Sequence, residues 1–240
     1  MIDAKYQRVL LKLSGEAFEG AGGRNIDPGI VNALAGEVRD AVADGTLQMA
    51  LVVGGGNFWR GRDAERLGMD RATADYMGMI GTVINALALQ ESLERAGVQT
   101  RVMTAIQMQQ VAEPYIRRRA IRHMEKGRVV ILAGGNGNPY FTTDTTGALR
   151  AIELECEVLL MGKNGVDGVY DRDPKQDANA VRFPYISFAE ALQRELRVMD
   201  STAFALCMDN NLPIIVFNVA EPGMIARVLR GEEGFGTVVR

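Results

Sequence analysis

The chain has 240 residues, and 47% of them are hydrophobic, which is enough to bury a sizeable core. Its formal net charge is -3, so it lacks the basic excess that is typical of proteins that bind nucleic acid. No apolar run approaches the roughly 18 to 20 residues that span a membrane, and residues 1–8 do not resemble a signal peptide. We therefore expect a cytoplasmic protein with neither a nucleic-acid nor a membrane partner.

The first predicted elements are a buried strand, an amphipathic helix and a second buried strand. Residues 9–13 are apolar except for Lys12, and residues 49–53 are apolar throughout. Between them, Asp27 and Pro28 are a typical helix start. The apolar residues of that helix share one face, namely Val31, Leu34, Val38 and Val42.

Residues 73–95 predict a long helix that is apolar on more than one side. Met77, Ile80 and Ile84 form one stripe, while Met79 and Val83 lie outside it. At 1.5 Å per residue such a helix is roughly 35 Å long. Either the core surrounds it, or its second apolar face meets another subunit.

Apolar runs that alternate with helical segments continue to the end of the chain. We expect strands at residues 100–103, 128–132, 158–161, 213–217 and 237–239. Helices are expected near residues 114–125, 145–154, 187–195, 199–210 and 222–230. This order predicts an α/β fold, a three-layer α/β/α sandwich around a mostly parallel central sheet. Because no linker interrupts residues 1–240, we expect a single domain.

Four segments rich in glycine and polar residues fall where predicted strands end. They are residues 12–16, 54–57, 134–138 and 164–168. Ligands bind beyond the carboxyl ends of such strands, and glycine lets backbone amides approach phosphate oxygens. One such segment would be an ordinary tight turn, whereas four favour an anion-binding site. The chain has neither a G-x-x-x-x-G-K-[ST] loop nor a helix-opening G-x-G-x-x-G, so we expect neither a P-loop kinase nor a dinucleotide dehydrogenase.

Two cations near these segments are candidate phosphate ligands. Lys12 lies inside an apolar strand, where a buried ammonium needs an anionic partner, and phosphate is the natural one. The alternative is a lysine whose stem runs along the strand to solvent. Arg60 closely follows the triple glycine at residues 54–56, and a guanidinium is well suited to phosphate. It is preferred to Arg62 because it lies closer to the glycine turn.

The cysteines and the histidine are not expected to carry chemistry. Cys156 and Cys207 lie in apolar segments and are predicted to be buried thiols in a reducing compartment. His123 lies in a basic segment and is expected on a solvated helix face. Because no Cys/His set has metal-ligand spacing, no metal site built by the protein is predicted.

Five motifs carry a family resemblance. They are Lys-Leu-Ser-Gly-Glu at 12–16, Gly-Gly-Gly-Asn at 54–57, Asp-Tyr-Met-Gly-Met at 75–79, Asn-Pro-Tyr-Phe-Thr-Thr-Asp at 138–144 and Val-Asp-Gly-Val-Tyr at 166–170. With them the chain resembles the bacterial uridylate kinases, which belong to the amino acid kinase superfamily. The first two motifs are shared by much of that superfamily, and the third and fourth are more specific. The resemblance covers about residues 8–238 and implies the amino acid kinase fold.

The resemblance implies phosphorylation of UMP to UDP by ATP in pyrimidine nucleotide synthesis, with Mg²⁺ delivered by ATP. The residues that it places on ATP are Lys12, Leu13, Ser14, Gly15, Gly56, Arg60, Asn164, Tyr170 and Asp173. Those that it places on UMP are Gly55, Asp75, Asn136, Gly137, Asn138, Pro139, Tyr140, Phe141, Thr142 and Thr143. Lys12, Arg60 and Asp144 are the implied catalytic residues, with Asp200 as a further candidate. The UMP side lies in about residues 1–155 and the ATP side in about 156–240.

A homohexamer and regulation by nucleotides are also implied. The loop that corresponds to one linked to GTP activation in the family consists of Gly20, Ala21, Gly22, Gly23, Arg24 and Asn25. Arg24 and Asn25 replace the aromatic residue and glycine often found there, and UTP inhibition is the usual counterpart of GTP activation. At residues 161–164 the chain follows a Met-Ala-Lys-Asn version of the motif, which leaves open whether Lys163 or Asn164 contacts ATP.

Several of these residues have simpler structural interpretations. For Asp75 the alternative is a cap of the long helix, and for Thr142 and Thr143 a cap of the helix that follows. For Tyr170 it is an aromatic residue at a strand edge, and for Asp173 a turn residue. For the whole chain the alternatives are a superfamily kinase that acts on a carboxylate or carbamate, and a nucleotide-binding relative without turnover.

Overall fold

The computed structural model describes residues 5–20, 24–61, 68–174, 176–177, 179–196 and 198–240. The strands are β1 (Arg8–Leu13), β2 (Gln48–Val53), β3 (Thr100–Thr104), β4 (Glu113–Pro114), β5 (Val129–Ala133), β6 (Val158–Lys163), β7 (Tyr185–Ile186), β8 (Ile214–Asn218) and β9 (Thr237–Val239). The helices are α1 (Pro28–Val42), α2 (Arg71–Arg95), α3 (Arg117–Glu125), α4 (Thr143–Glu153), α5 (Phe188–Gln193), α6 (Ser201–Asp209) and α7 (Met224–Leu229). A short 3-10 helix, Gly15–Phe18, follows β1.

These strands form one sheet in the order β4-β3-β5-β2-β1-β6-β8-β9-β7. Neighbouring strands run parallel except for β8 and β9, so the prediction of an α/β fold with a mostly parallel sheet is confirmed. β1 is central, with Lys12 opposite Val52 of β2 and Met161 of β6. The carboxyl ends of β1, β2, β5 and β6 therefore meet at one edge, where the four glycine-rich segments lie.

Hydrophobic clusters cover both faces of this sheet. Val9, Leu11 and Leu13 of β1 belong to the cluster that includes residues of α1, α2 and α7. Leu10 belongs to the opposite cluster, with residues of α3, α4, α5 and α6. Because side chains alternate along a strand, Lys12 shares the face of Leu10 and α4. This alternation brings Lys12 to the helix that carries Asp144.

Side-chain caps set where the helices near the site begin. Asp27 accepts hydrogen bonds from two amides in the first turn of α1, as its sequence predicts. The cap of α2 is Asp70, so the interpretation of Asp75 as that cap is wrong. Thr142 caps α4, whereas Thr143 is the first residue of that helix.

Two short strands and the surroundings of His123 differ from the prediction. β4 and β7 have 2 residues each, which is too short to leave a hydrophobic pattern. The ring nitrogens of His123 lie 3.2 Å from the carboxylate of Glu113 and 3.0 Å from the guanidinium of Arg128. Its side chain is 12% exposed, so the prediction of a solvated position was wrong.

The long helix α2 is buried along one side and exposed along another. Met79 and Val83 lie in the core, whereas Met77, Ile80 and Ile84 are 38%, 51% and 43% exposed. The core of the protein therefore covers only one of the two apolar faces. Neither α2 nor another helix of the described ranges is both long and apolar enough to cross a membrane.

Candidate active site at the carboxyl edge of the sheet

The glycine segments that follow β1 and β2 pack backbone against backbone. A Cβ atom on Gly15 would lie 2.5 Å from the amide nitrogen of Gly56. A Cβ atom on Gly55 would lie 2.3 Å from the carbonyl oxygen of Gly78 in α2. No side chain tolerates such distances, so the close approach of these loops requires glycine at both positions.

A pair of buried asparagines fixes the loop that contains the triple glycine. Asn57 and Asn85 donate to each other's amide oxygens at 3.0 and 2.8 Å. Asn57 also donates to the carbonyl of Asn25 at 2.6 Å, and Asn85 donates to the carbonyl of Gly54 at 2.7 Å. Because both side chains are buried, water cannot replace these hydrogen bonds. The pair ties the loop to α2 and to the segment that precedes α1.

Lys12 forms a buried ion pair with Asp144 of α4. The ammonium nitrogen lies 2.8 Å from Oδ1 of Asp144, and Lys12 is 6% exposed. The expectation that a buried Lys12 needs a phosphate was therefore incomplete, because a carboxylate already compensates its charge. Burial alone would raise the pKa of Asp144, but the ammonium groups of Lys12 and Lys163 outweigh burial and hold that pKa below its ordinary value. Asp144 is thus ionised at neutral pH.

Arg60 and Glu16 form an ion pair on the solvent side of the glycine loops. The Arg60 side chain is 56% exposed. An exposed pair contributes only about 0–1 kcal/mol, so an incoming phosphate can replace the carboxylate at small cost. Asn164, which follows β6, donates to the carbonyl of Glu16 at 3.2 Å. Glu16 thereby joins residues from three strand ends.

Asp75 anchors the loop between β5 and α4 to the second turn of α2. Its carboxylate accepts from the amide of Tyr140 at 2.8 Å and from Nε of Arg71 at 3.0 Å. The Arg71 guanidinium also lies 5.8 Å from the centroid of the Tyr140 ring. Tyr140 has a φ of 71°, which side chains rarely adopt and which marks a backbone held by its surroundings. The aromatic rings of this loop face outward, since Tyr140 is 66% and Phe141 50% exposed.

Asp200 links the beginnings of α4 and α6. Its carboxylate caps α6 by accepting from the amide of Ala203 at 3.0 Å. It also accepts from the hydroxyls of Thr142 and Thr145, the second at 3.0 Å. The backbone amide of Asp200 in turn helps to lower the pKa of Asp144. The loop predicted to hold UMP is therefore bonded directly to the C-terminal half of the chain.

Tyr170 and Asp173 lie in the segment that follows β6. The phenol of Tyr170 donates to Asp167, and this hydrogen bond is the main cause that raises the pKa of Tyr170. Arg182 forms an ion pair with Asp167. It also forms a β-bridge with Tyr170, so the backbone of Tyr170 lies at a strand edge, as the simpler interpretation predicted. The carbonyl of Asp173 accepts from two following amides, as expected of a turn residue.

Along the sheet edge, the residues predicted to bind the two nucleotides lie on either side of β1. Gly55, Asp75 and residues 136–143 lie on the side of β2 and β5, whereas Asn164 and Tyr170 lie on the side of β6. Of the predicted effector loop, Ala21, Gly22 and Gly23 lie outside the described residues. Within the described ranges, no group of three or more His, Cys, Asp and Glu residues has the geometry of a metal site.

Comparison with known proteins identifies the family. The model of the amino acid kinase family matches residues 7–218. A UMP kinase structure from Bacillus anthracis is 41% identical, with a TM-score of 0.94, and the match covers 98% of this chain and 96% of that one. A UMP kinase structure from Ureaplasma parvum is 42% identical, with a TM-score of 0.92, and the match covers 98% and 99%. The chain belongs to the amino acid kinase family, among the UMP kinases.

A more distant member has the same fold. A uridylate kinase structure from Archaeoglobus fulgidus is 26% identical, with a TM-score of 0.72, and the match covers 97% of this chain and 99% of that one. The resemblance drawn from the five motifs is thus confirmed. The roles of individual residues in this UMP kinase site stay predictions, because they concern ligands rather than the fold.

Sequence analysis did not assign roles to several residues at the centre of this kinase site. Asn85 and Glu16 hold the glycine loops, and Arg182 holds Asp167. A signal was available for Asn85, because it is a polar residue between the buried Val83 and Ala86 of α2. For Arg182 no sequence signal was available, since its partner lies on another segment of an irregular loop.

Proposed function

We propose that this protein transfers the γ-phosphoryl group of ATP to UMP, giving ADP and UDP, in pyrimidine nucleotide synthesis. The similarity to two UMP kinases over 98% of the chain supports this reaction. The single observation that carries the proposal is the buried pair of Lys12 and Asp144. It lies between the loop anchored by Asp75 and the segment that follows β6.

In the proposed mechanism the protein positions two phosphates and neutralises charge. Lys12 and Arg60 stabilise charge on the transferred phosphoryl group, and Asp144 orients the ammonium of Lys12. Arg60 exchanges Glu16 for a phosphate when nucleotide binds. The acceptor is a phosphate monoester whose second pKa of about 6 leaves it ionised at pH 7. No general base is therefore required to generate the nucleophile.

The two nucleotides take opposite sides of β1, within a single domain of residues 1–240. On the ATP side, phosphates lie against Lys12, Leu13, Ser14, Gly15, Gly56 and Arg60, and adenosine lies against Asn164, Tyr170 and Asp173. On the UMP side, the phosphate meets Gly55, the nucleoside meets Asp75, and the rest is wrapped by Asn136, Gly137, Asn138, Pro139, Tyr140, Phe141, Thr142 and Thr143. Mg²⁺ enters as part of the substrate MgATP and offsets the charge of its phosphates.

The proposal also includes regulation by nucleotides and assembly into an oligomer. GTP activates and UTP inhibits, with the effector loop of residues 20–25 acting through the hydrogen bond between Asn57 and the carbonyl of Asn25. The chain assembles as a homohexamer in the cytoplasm. Its subunits meet through the exposed stripe of α2, because such an apolar face is stable when another subunit covers it.

A coupled assay of ADP release tests the reaction. UMP, CMP, AMP and GMP are compared as acceptors with glutamate, aspartate and carbamate, each with and without GTP and UTP. We expect turnover with UMP far above that with the other acceptors. No turnover with UMP would contradict the proposed reaction, and preference for a carboxylate or carbamate would assign another kinase of the superfamily. Sedimentation velocity of an Ile80→Glu variant tests the assembly, since the hexamer should dissociate.

A further inference from the structure

Thr82 places one buried hydroxyl between α2 and the loop that follows β5. Its Oγ1 donates to the carbonyl of Met79 at 2.6 Å and accepts from the amide of Gly134 at 2.7 Å. Thr82 is 5% exposed. Because a hydroxyl has a single hydrogen and the carbonyl of Met79 takes it, the oxygen is left as an acceptor for Gly134.

Gly134 is the first residue beyond β5 and lies in a sharp turn. Gly134 and Gly135 have φ values of 72° and 58°, in the left-handed region that favours glycine. Gly137 donates to the carbonyl of Gly134 at 3.1 Å, and this bond stays within the turn. The hydrogen bond to Thr82 instead joins the turn to a helix. It therefore fixes where the loop between β5 and α4 begins.

The same helix holds this loop at a second point. The carboxylate of Asp75 accepts from the amide of Tyr140 at 2.8 Å. Residues 136–139, which are predicted to bind UMP, lie between this bond and the one at Gly134. Their position relative to α2 therefore depends on both bonds.

The backbone of Thr82 packs against the other loop that is predicted to bind UMP. A Cβ atom on Gly55 would lie 2.9 Å from the amide nitrogen of Thr82. Asn85 lies three residues further along the same face of α2 and donates to the carbonyl of Gly54 at 2.7 Å. Gly55 is predicted to meet the phosphate of UMP, and the loop after β5 to wrap the rest. Thr82 thus contacts both loops of the predicted acceptor site.

We propose that Thr82 is a positioning residue for the acceptor nucleotide, because its hydroxyl sets the loop after β5 relative to the triple-glycine loop. This inference rests on the proposed function. Both hydrogen bonds of the hydroxyl end on backbone atoms, so Thr82 acts through Gly134 rather than by contact with a nucleotide. The residues predicted to bind adenosine follow β6, on the other side of β1. Loss of the hydroxyl therefore affects the acceptor and spares ATP.

The test separates the hydroxyl of Thr82 from its shape. Thr82→Val removes the hydroxyl and keeps the shape, Thr82→Ser keeps the hydroxyl, and Thr82→Ala is a second variant without it, should Thr82→Val fail to fold. The control is Thr100→Val, because Thr100 is a fully buried threonine whose hydroxyl donates to Glu94 at 2.9 Å. Thr100 begins β3, at the edge of the sheet opposite to the nucleotide loops. Release of ADP gives kcat and KM, with UMP varied at saturating ATP and ATP varied at saturating UMP.

We expect Thr82→Val and Thr82→Ala to raise KM for UMP about tenfold, the effect of one buried hydrogen bond, while KM for ATP stays within about twofold of wild type. Thr82→Ser should keep KM for UMP within about threefold of wild type. Thr100→Val should leave both KM values within about twofold, even where its melting temperature falls as much as that of Thr82→Val. The role of Thr82 would be overturned by an unchanged KM for UMP, by equal changes in both KM values, or by a Thr82→Ser variant as impaired as Thr82→Val.

Hydrogen exchange followed by mass spectrometry supplies a readout that does not depend on turnover. The amides of residues 134–138 should exchange about tenfold faster in Thr82→Val and at the wild-type rate in Thr82→Ser, because only the first variant removes the acceptor of the Gly134 amide. Unchanged exchange in Thr82→Val would overturn the inference. A wild-type protein that does not use UMP would contradict the proposed function instead, and hydrogen exchange would still decide whether Thr82 holds this loop.

Discussion

Replacement of Lys12 by Met removes the partner of a buried carboxylate as well as a cation of the proposed reaction. The side chains of Lys12 and Asp144 are 8% and 17% exposed, so solvent screens the pair little. Removal of one member of a buried pair costs roughly 3–5 kcal/mol. Because Lys163 still acts on Asp144, we expect the lower end, about 3 kcal/mol. For a chain of this length the melting temperature should fall by roughly 6–12 °C.

The double variant separates stability from turnover. Guanidinium denaturation and ADP release are measured for Lys12→Met, Asp144→Asn and the combined variant, with Lys126→Met, at the exposed end of α3, as control. We expect the combined variant to recover at least half of the stability lost by Lys12→Met, because no buried carboxylate is left without its partner. Turnover should stay about 10²- to 10³-fold below wild type in both variants that lack Lys12.

Three results would refute this reasoning. If the losses of the single variants simply add in the combined variant, the two side chains do not form an energetically coupled pair. If the combined variant regains turnover together with stability, Lys12 has only a structural role. Near-normal kcat in Lys12→Met would have the same meaning.

Three further expectations follow from glycine packing, acid titration and thiol burial. Gly55→Ala should unfold or strongly destabilise the protein, since its Cβ would lie 2.3 Å from a backbone oxygen of α2, whereas Gly36→Ala, with open space in α1, should raise stability by about 0.5–1 kcal/mol in denaturant melts. The depressed pKa of Asp144 means that its stabilisation is complete above the unfolded value of about 3.9 and is lost as the pH falls toward the folded value. Denaturation of Asp144→Asn should therefore show a flatter acid limb below about pH 4. Burial raises the pKa of Cys156 and Cys207 to about 12, so a thiol reagent at pH 8 should modify both only after unfolding.

The main elements could be predicted because burial leaves a pattern in the sequence. The strands at the centre of the sheet are mostly apolar, and their predicted positions differ from the observed ones by one or two residues at an end. The start of α1 was also predictable, because Asp27 and Pro28 are neighbouring residues that form a typical helix start. β4 could not be found in this way, since its 2 residues pair only because β3 lies beside them.

The partners of charged residues could not be predicted, because they depend on how distant segments fold together. Burial of Lys12 was correctly inferred, but its carboxylate partner comes from α4. His123 was placed in solvent because its own segment is basic, and Glu113 of the unpredicted β4 covers it. Asp70 could not be identified as the cap of α2 without knowing the position at which the helix begins.

The pair of Asn57 and Asn85 has a consequence for how the site responds to changes in charge. In the proposed reaction, negative charge moves from one nucleotide to the other next to the triple-glycine loop. The hydrogen bonds that hold this loop come from carboxamides, which neither gain nor lose a proton near neutral pH. The backbone amides of the loop can therefore keep the same orientation before and after the reaction. Such a frame needs little reorganisation, which is the condition under which fixed dipoles accelerate a reaction most.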